Sequence, residues 1–257
     1  MKRSHFLIIF LFPFFINCSS GSINEKKSII TNGDSILVDY CQKFNQLNTE
    51  IRDGKLKFSD ASKQFKFLIS EIKKQYLITN QSKFSKSDWV FPVQAYSKSS
   101  IGGSNGNGYL PGNYNYFDGN KHTGHPAQDI FAMDKNQDCL DDNSKTAINI
   151  LSISSGVVIA SEPIWDSNSQ IRGGKYILIY DPENEILFYY AHNNKINVKI
   201  GDIVEPGMII ANMGRTGLNA FKKRSPTHLH LMCLKIKNDL LPEPINIYED
   251  LVKMKSK

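Results

Sequence analysis

The chain has 257 residues, of which 40% are hydrophobic and 22% are charged, and its formal net charge is +6. This length allows one large domain or two small ones, and the composition is that of a soluble globular protein with a substantial core. Dense runs of lysine and arginine interleaved with aromatic residues do not occur in the sequence, which argues against nucleic acid as a partner. The mild excess of positive charge suits an anionic partner such as a cell wall or a membrane surface.

The N-terminus predicts export. Lys2 and Arg3 precede an eleven-residue apolar run, Phe6–Ile16, and a short polar stretch follows it. A run of this length falls well short of the ~20 residues that span a bilayer as a helix. A basic start, a short apolar middle and a small polar end are typical of a secretory signal peptide, here residues 1–17.

Cys18 comes directly after this segment and is followed by serines, an arrangement that resembles the lipobox of bacterial lipoproteins. The resemblance implies that acyl chains on Cys18 anchor the exported protein to a membrane, facing the periplasm or the cell surface. Loss of residues 1–17 removes two basic and no acidic residues, so the net charge falls from +6 to +4. Residues 18–34 are rich in Ser, Gly, Asn and Lys and are expected to form a flexible tether. The remaining cysteines are too few for an obvious disulfide framework: Cys41, Cys139 and Cys233.

Residues 35–86 are predicted to be helical, because their apolar residues recur three or four positions apart. One such stripe consists of Phe65, Leu68, Ile72 and Tyr76. Ser59 or Asp60 is the expected N-terminal cap of the second helix. A helical pair that leans on the main domain is favoured over a separate binding module.

Residues 88–248 consist of short β-branched and aromatic segments bounded by Gly, Pro, Asn or Asp, which predict a mainly antiparallel β domain. The long segment 98–124 is rich in Gly and Asn, and a loop of this length in a compact domain is usually functional or mobile. Residues 133–148 resemble an insertion, within which "DKNQDCLDD" faintly suggests a calcium loop. Cys139 stands where such a loop needs glycine and Lys145 where it needs a bidentate Glu, so a solvated acidic turn is favoured.

Five histidines remain after removal of the signal peptide, and all lie in the β domain. His228 and His230 are two residues apart in "SPTHLHLM", so on a strand they share one face. Leu229, Leu231 and Cys233 then face the other way, into packing. Taken alone, such a histidine pair is more often an exposed polar pair on a solvated sheet than a site.

A second cluster, "GHPAQDIFA", places His125 four residues before Asp129. Pro126 disfavours a helical explanation, so a turn that enters a strand is expected to bring the two side chains together. In a third segment, "FYYAH", a continuing strand would place His192 on one face with Phe188 and Tyr190.

The combination of these clusters is more informative than any one of them. Two histidines and one carboxylate form the three-ligand open site of a catalytic zinc, which leaves one position for water. Two further histidines remain for proton transfer, for which an ordinary pKa of ~6.5 is suitable.

The motifs resemble those of the LytM or lysostaphin-type zinc endopeptidases, which cut peptidoglycan cross-links. That family has His-x-x-x-Asp, Tyr-x-His, a glycine-rich turn and His-x-His in this order, and here "HPAQD", "YAH", "GDIVEPGMIIANMGRTG" and "HLH" follow one another over about residues 88–236. The resemblance implies a compact antiparallel β domain of the duplicated hybrid-motif type with an N-terminal helical segment. It implies one Zn²⁺ held by His125, Asp129 and His230. It also implies that His192 and His228 are the catalytic histidines, whereas His122 has no place in the motif and is expected to line a loop or the groove.

The sequence departs from the family pattern at Ala127, where a glycine is usual, and around the His-x-His motif, but no ligand is lost. The prediction is therefore a zinc-dependent endopeptidase that hydrolyses peptide cross-links in bacterial peptidoglycan. Two alternatives are a non-catalytic LytM-like module that binds the wall or activates an amidase, and a lipoyl-carrier-like β sandwich suggested by "KIGDIVEPGMII". The sequence leaves open which cross-link is cut.

Overall fold

A computed structural model of the protein describes residues 32–80 and 84–257. The predicted signal peptide, Cys18 and nearly all of the predicted tether lie outside these residues. Within the described ranges, none of the helices combines the length and the apolar character that a bilayer span requires.

Two helices form an N-terminal hairpin, α1 over Asn32–Arg52 and α2 over Phe58–Thr79. The predicted stripe on α2 is confirmed, since all four of its side chains are buried. The predicted cap is wrong: α2 begins two or three residues earlier, Lys57 is its N-cap residue, and no side chain caps the helix there. Ser59 and Asp60 instead lie inside the first turn, where the carboxylate of Asp60 is favourably placed near the positive end of the helix.

The described residues that follow the hairpin are mainly β, as predicted, and their nine strands form one antiparallel sheet. The strands are β1 (Ala127–Phe131), β2 (Asn149–Leu151), β3 (Gly156–Glu162), β4 (Lys175–Asp181), β5 (Ile186–Ile196), β6 (Ile203–Val204), β7 (Ile209–Met213), β8 (His228–Ile236) and β9 (Pro242–Pro244). A short helix, α3 (Tyr248–Leu251), follows. The principal order across the sheet is β1-β8-β5-β4-β3-β6, while β7 pairs with β2 and β5, and β9 pairs with β8.

The two faces of the sheet are covered differently. On one face, Leu229, Leu231 and Cys233 of β8 pack into a core with residues that include Trp89 and Ile130. This confirms that the three residues point away from the two histidines of the same strand. On the opposite face, alternate residues of the same strands pack against the helical hairpin, so that Met232 shares a second core with Phe44 and Phe65.

The segment 98–124 contains two 3₁₀ helices, Lys98–Ser100 and Tyr116–Lys121. The second packs against α1, and its Gly119 has φ +54° and lies so close to the helix that a Cβ would meet the carbonyl oxygen of Ile51 at 2.4 Å. Tyr116 donates a hydrogen bond to the side-chain oxygen of Asn48 (2.7 Å). This predicted long loop is therefore attached to the helical hairpin.

The side chain of a buried aspartate organises the acidic turn within residues 133–148. Asp134 is buried and accepts hydrogen bonds from the backbone of Asp138 and Cys139 and from the hydroxyl of Thr227. Its carboxylate therefore ties this turn to the residue that precedes β8. The described cysteines, Cys41, Cys139 and Cys233, are all free thiols.

Candidate functional site

The register between β1 and β8 brings together two of the predicted ligands. Asp129 on β1 lies directly opposite His230 on β8, and residues paired in this way project from the same face. His125 lies two residues before β1, where its backbone pairs with Leu110 in an isolated antiparallel bridge. One potential ligand atom from each of the three side chains lies within 4.8 Å of the other two, and this is the only such metal-binding group found among the described residues.

The hydrogen bonds around these side chains identify the atoms that face the centre. His125 Nδ1 lies 2.9 Å from the carbonyl oxygen of Gly108, an acceptor, so Nδ1 carries a proton. In a neutral imidazole, Nε2 then has a lone pair, yet it lies 3.3 Å from the carboxylate of Asp129. Two acceptors that face each other need a proton or a cation between them. The donor set of two imidazoles and one carboxylate fits Zn²⁺, which takes nitrogen and oxygen ligands.

The carboxylate of Asp129 is placed between the two rings. Its second oxygen lies 3.1 Å from His230 Nδ1. Burial by itself would raise the pKa of Asp129, but the hydrogen bonds with His125 and His230 outweigh burial and lower the pKa. Burial lowers the pKa of His230. The hydrogen bond with Asp129 raises the pKa of His125. The carboxylate therefore favours a proton or a cation between itself and this ring.

The two predicted catalytic histidines lie beside this centre. The ring of His192 is 4.8 Å from that of His228 and 5.5 Å from that of His230, measured between centroids. His228 Nδ1 lies 2.8 Å from the carbonyl oxygen of Pro226, and His192 Nδ1 lies 2.8 Å from that of Thr216. Since these oxygens only accept, each ring is held with its Nδ1 proton bonded to the backbone, and its Nε2 makes no hydrogen bond within the described residues. Burial, followed by the adjacent His228 and His230, lowers the pKa of His192 far below its ordinary value.

The local backbone structure that directs His192 toward the site differs from the prediction. Phe188 and Tyr190 do not share a face with it, because both belong to the core on the opposite face of the sheet. The pairing of β4 with β5 shifts register just before Asn193, and His192 adopts φ +67° there. This bulge turns the imidazole toward His228 instead of into the core. As a result, Tyr189, not Tyr190, borders the site, with its ring 6.3 Å from that of His230.

The glycine-rich turn of residues 214–217 holds the bulge in place. Thr216 donates its hydroxyl hydrogen to the carbonyl of Asn193, and its own carbonyl accepts from His192. Gly217 has φ +118°, and a Cβ at this position would lie 2.9 Å from His192 Nδ1. Sequence reasoning located the turn, but missed Thr216 as the residue that orients the histidine.

A groove with a cavity of about 490 Å³ opens onto the five predicted site residues, and His122 lies in its wall. The end of α1 and the segments 114–126, 171–173 and 219–226 contribute to the lining. The His122 ring makes an edge contact with Tyr114, and burial together with the charge of Arg172 lowers the pKa of His122 to about 4. The groove is therefore shaped jointly by the sheet, the long segment 98–124 and the helical hairpin.

Comparison with known proteins identifies a family model that matches part of the chain. Residues 136–242 match the model of peptidase family M23, a range that includes His192, His228 and His230 and begins after His125 and Asp129. No curated protein matches the chain. The resemblance to the LytM and lysostaphin-type peptidases is thus confirmed for this part of the chain.

Solved structures of similar proteins include three peptidases. A zinc-containing peptidase from Vibrio cholerae is 22% identical with a TM-score of 0.40, and the match covers 66% of this chain and 40% of that one. The catalytic domain of the antimicrobial peptidase lysostaphin from Staphylococcus simulans is 25% identical with a TM-score of 0.34, covering 53% and 83%. A protein from Ruminococcus gnavus described as a glycyl-glycine endopeptidase, LytM, is 18% identical with a TM-score of 0.44, covering 90% and 95%.

Proposed function

We propose that this chain, whose residues 136–242 match the model of peptidase family M23, is a zinc-dependent endopeptidase that hydrolyses peptide cross-links in bacterial peptidoglycan. The observation that carries the proposal is the meeting of His125, Asp129 and His230 around one centre, with His192 and His228 beside it. Three protein ligands are what catalytic zinc sites have in common, whereas structural zinc sites are closed by a fourth.

The three ligands would hold the ion through His125 Nε2, His230 Nδ1 and a carboxylate oxygen of Asp129. When bound in such a setting, zinc supplies a Lewis acid that polarises a peptide carbonyl and makes water more acidic. The hydrogen bond from His125 Nδ1 to Gly108 fixes the orientation of this ligand ring, an arrangement that metal-binding histidines commonly have.

The remaining two histidines are suited to proton transfer. Their Nδ1 protons are bonded to the backbone, so each neutral Nε2 can accept a proton from the attacking water. Once protonated, the same Nε2 can donate a hydrogen bond to the oxygen of the tetrahedral intermediate. Burial lowers the pKa of His192 and so favours its neutral form, in which Nε2 has a lone pair. One of the two can then return the proton to the leaving amine.

The test is incubation of the zinc-loaded protein with purified peptidoglycan, followed by quantification of newly released amino termini. We expect new termini with the wild-type protein, and none after chelation or in the Asp129→Ala variant. A protein that binds the wall and retains zinc but releases no termini would instead be a non-catalytic wall-binding or amidase-activating module, and the proposal would be wrong.

We further propose that the chain is exported and anchored through Cys18. The support is the basic start, the short apolar run and the cysteine that follows it. Labelling of growing cells with a radioactive fatty acid should mark the wild-type protein and not the Cys18→Ser variant. Equal labelling of the two, or none of either, would contradict the anchor.

A further inference from the structure

Arg172 lies in the groove wall without a carboxylate partner. Its side chain is half-buried, and its Nη1 donates to the carbonyl oxygen of His122 on the facing segment. This is its one hydrogen bond in the described part of the chain, where it also makes no ion pair. A guanidinium has five N–H donors, so most of this fork remains available inside a partly desolvated groove.

A second arginine of the same groove shows how the fold satisfies such a charge. Arg52 at the end of α1 makes ion pairs with Asp53 and with Glu162, each at 2.8 Å. Because removing a guanidinium from water is costly unless an anion or hydrogen bonds replace the water, a paired arginine is the expected arrangement. Arg172 has no such ion pair among the described residues, and it lies in the wall of the groove beside the site.

The groove contains no spare negative charge of its own to satisfy Arg172. Among its described lining residues, Asp129 is the only carboxylate, and it is engaged by His125 and His230. Arg224 on the facing wall is exposed and likewise makes no ion pair within the described residues. The surface that meets a substrate is therefore cationic even before a metal ion is added.

We propose that Arg172 is a specificity-determining residue that binds a free carboxylate of the substrate peptide, with Arg224 adding to the attraction. This inference rests on the proposed function and names its substrate class: a stem peptide that bears a carboxylate near the cleaved bond, in preference to an uncharged glycine bridge. A planar guanidinium matches a carboxylate through two parallel N–H···O bonds, which a lysine cannot reproduce. The hydrogen bond to His122 holds the fork across the groove, ready for such a ligand.

The test measures binding and cleavage separately, with the zinc-loaded full chain. The probes are four synthetic peptides: a directly cross-linked stem-peptide dimer with its branch and C-terminal carboxyls free, the same dimer amidated at the branch, the same dimer amidated at the C-terminus, and pentaglycine acetylated at its N-terminus and amidated at its C-terminus, which has no carboxylate. The variants are Arg172→Gln, Arg172→Lys and, as a matched control, Lys223→Gln. Lys223 is an exposed cation next to Arg224 that does not line the groove.

We expect the wild-type protein and Lys223→Gln to bind the free-acid dimer about tenfold or more tightly than one of the two amidated dimers, a ratio typical of a charge-assisted hydrogen bond. The amide that loses affinity identifies the carboxyl that is bound. Arg172→Gln should bring the ratio near one without weakening binding of that amide, and Arg172→Lys should restore it only in part. Equal binding of all three dimers by the wild-type protein, a ratio that survives in Arg172→Gln, or no measurable binding of any dimer would overturn the inference.

Cleavage distinguishes this inference from the proposed function. Preferential binding of the free acid without release of new amino termini would leave the role of Arg172 intact and contradict the endopeptidase. Cleavage of both amidated dimers and pentaglycine as efficiently as the free acid would contradict the role of Arg172 and leave the proposed endopeptidase activity intact.

Discussion

Replacing His230 with alanine should abolish the stabilisation that zinc gives to the fold, whereas replacing His228 should leave most of it. The two histidines share one face of β8, but their distances to the carboxylate of Asp129 differ. His230 Nδ1 lies 3.1 Å from it and His228 Nε2 lies 3.9 Å away. His230 is one of three converging ligand groups, while His228 does not belong to this group.

The size of the effect follows from mass action. A ligand that binds only the folded state at ~1,000 times its Kd raises the free energy of unfolding by about 4 kcal/mol. For a protein of this size, 1 kcal/mol corresponds to about 2–4 °C in Tm, so zinc should raise the Tm of the wild-type protein by roughly 8–16 °C. The same increment is expected for His228→Ala and almost none for His230→Ala.

The assay monitors the thermal unfolding of each purified protein by circular dichroism, with and without a chelator. Each variant is compared with itself, so the loss of packing caused by either substitution cancels. Zinc content per chain, measured by atomic emission, is the independent check. If His228→Ala loses the increment and His230→Ala keeps it, the ligand assignment is reversed and the proposed roles of the two histidines exchange.

Three further predictions concern the surroundings of the site. Gly217→Ala places a Cβ 2.4 Å from the carbonyl oxygen of Arg172 at a residue with φ +118°. The substitution should therefore displace His192 and lower kcat by about tenfold or more without changing the zinc content. An unchanged kcat would contradict the role of this turn. Phe65→Ala removes a fully buried ring from the core under the groove and should lower the free energy of unfolding by about 3–5 kcal/mol in urea denaturation, where a loss below ~1 kcal/mol would argue against that packing. Lys73 lies 2.5 Å from Glu185 and lowers the pKa of that carboxyl, so the pair stabilises the fold above the ordinary pKa of ~4.3 and ceases to do so as the pH falls through the lowered value. Glu185→Gln should therefore cost up to ~1 kcal/mol at pH 7 and nothing near pH 2, and a cost that does not change with pH would exclude the ion pair as its source.

The side chains of β8 illustrate what sequence alone can predict. Alternation along a strand is a local property, so "HLHLMC" is sufficient to place His228 and His230 on one face and Leu229 on the other. The contact of His230 with Asp129 is different, since the two residues are 101 positions apart. Their pairing depends on the register between two strands, which a single sequence does not specify. The family resemblance supplied the pair of ligands instead.

His192 shows why a correct residue can be predicted with an incorrect local structure. A regular strand would have pointed this side chain into the core with Phe188, as strict alternation requires. The bulge inverts its direction, and the cause lies outside the strand: the carbonyl of Thr216 accepts the Nδ1 proton, and Gly217 leaves room for the ring. A non-glycine residue at positive φ is uncommon and is retained only where neighbouring groups hold it. The conformation of His192 therefore depends on the glycine-rich turn of residues 214–217.

The far wall of the groove depends on contacts that no local pattern indicates. Asn48 of α1 is buried, and its amide is satisfied from two separate elements, by the hydroxyl of Tyr116 at 2.7 Å and that of Tyr176 at 2.9 Å. A buried amide without such partners would destabilise the fold, so these bonds link the helix, the long segment and the sheet at the edge of the site. The helical hairpin, which the apolar stripe predicts only as a packed appendage, thus contributes to the wall of the groove. It follows that the proposed reaction depends on short motifs along the strands, while the proposed selection among substrates depends on side chains such as Arg172 that long-range packing brings to the groove.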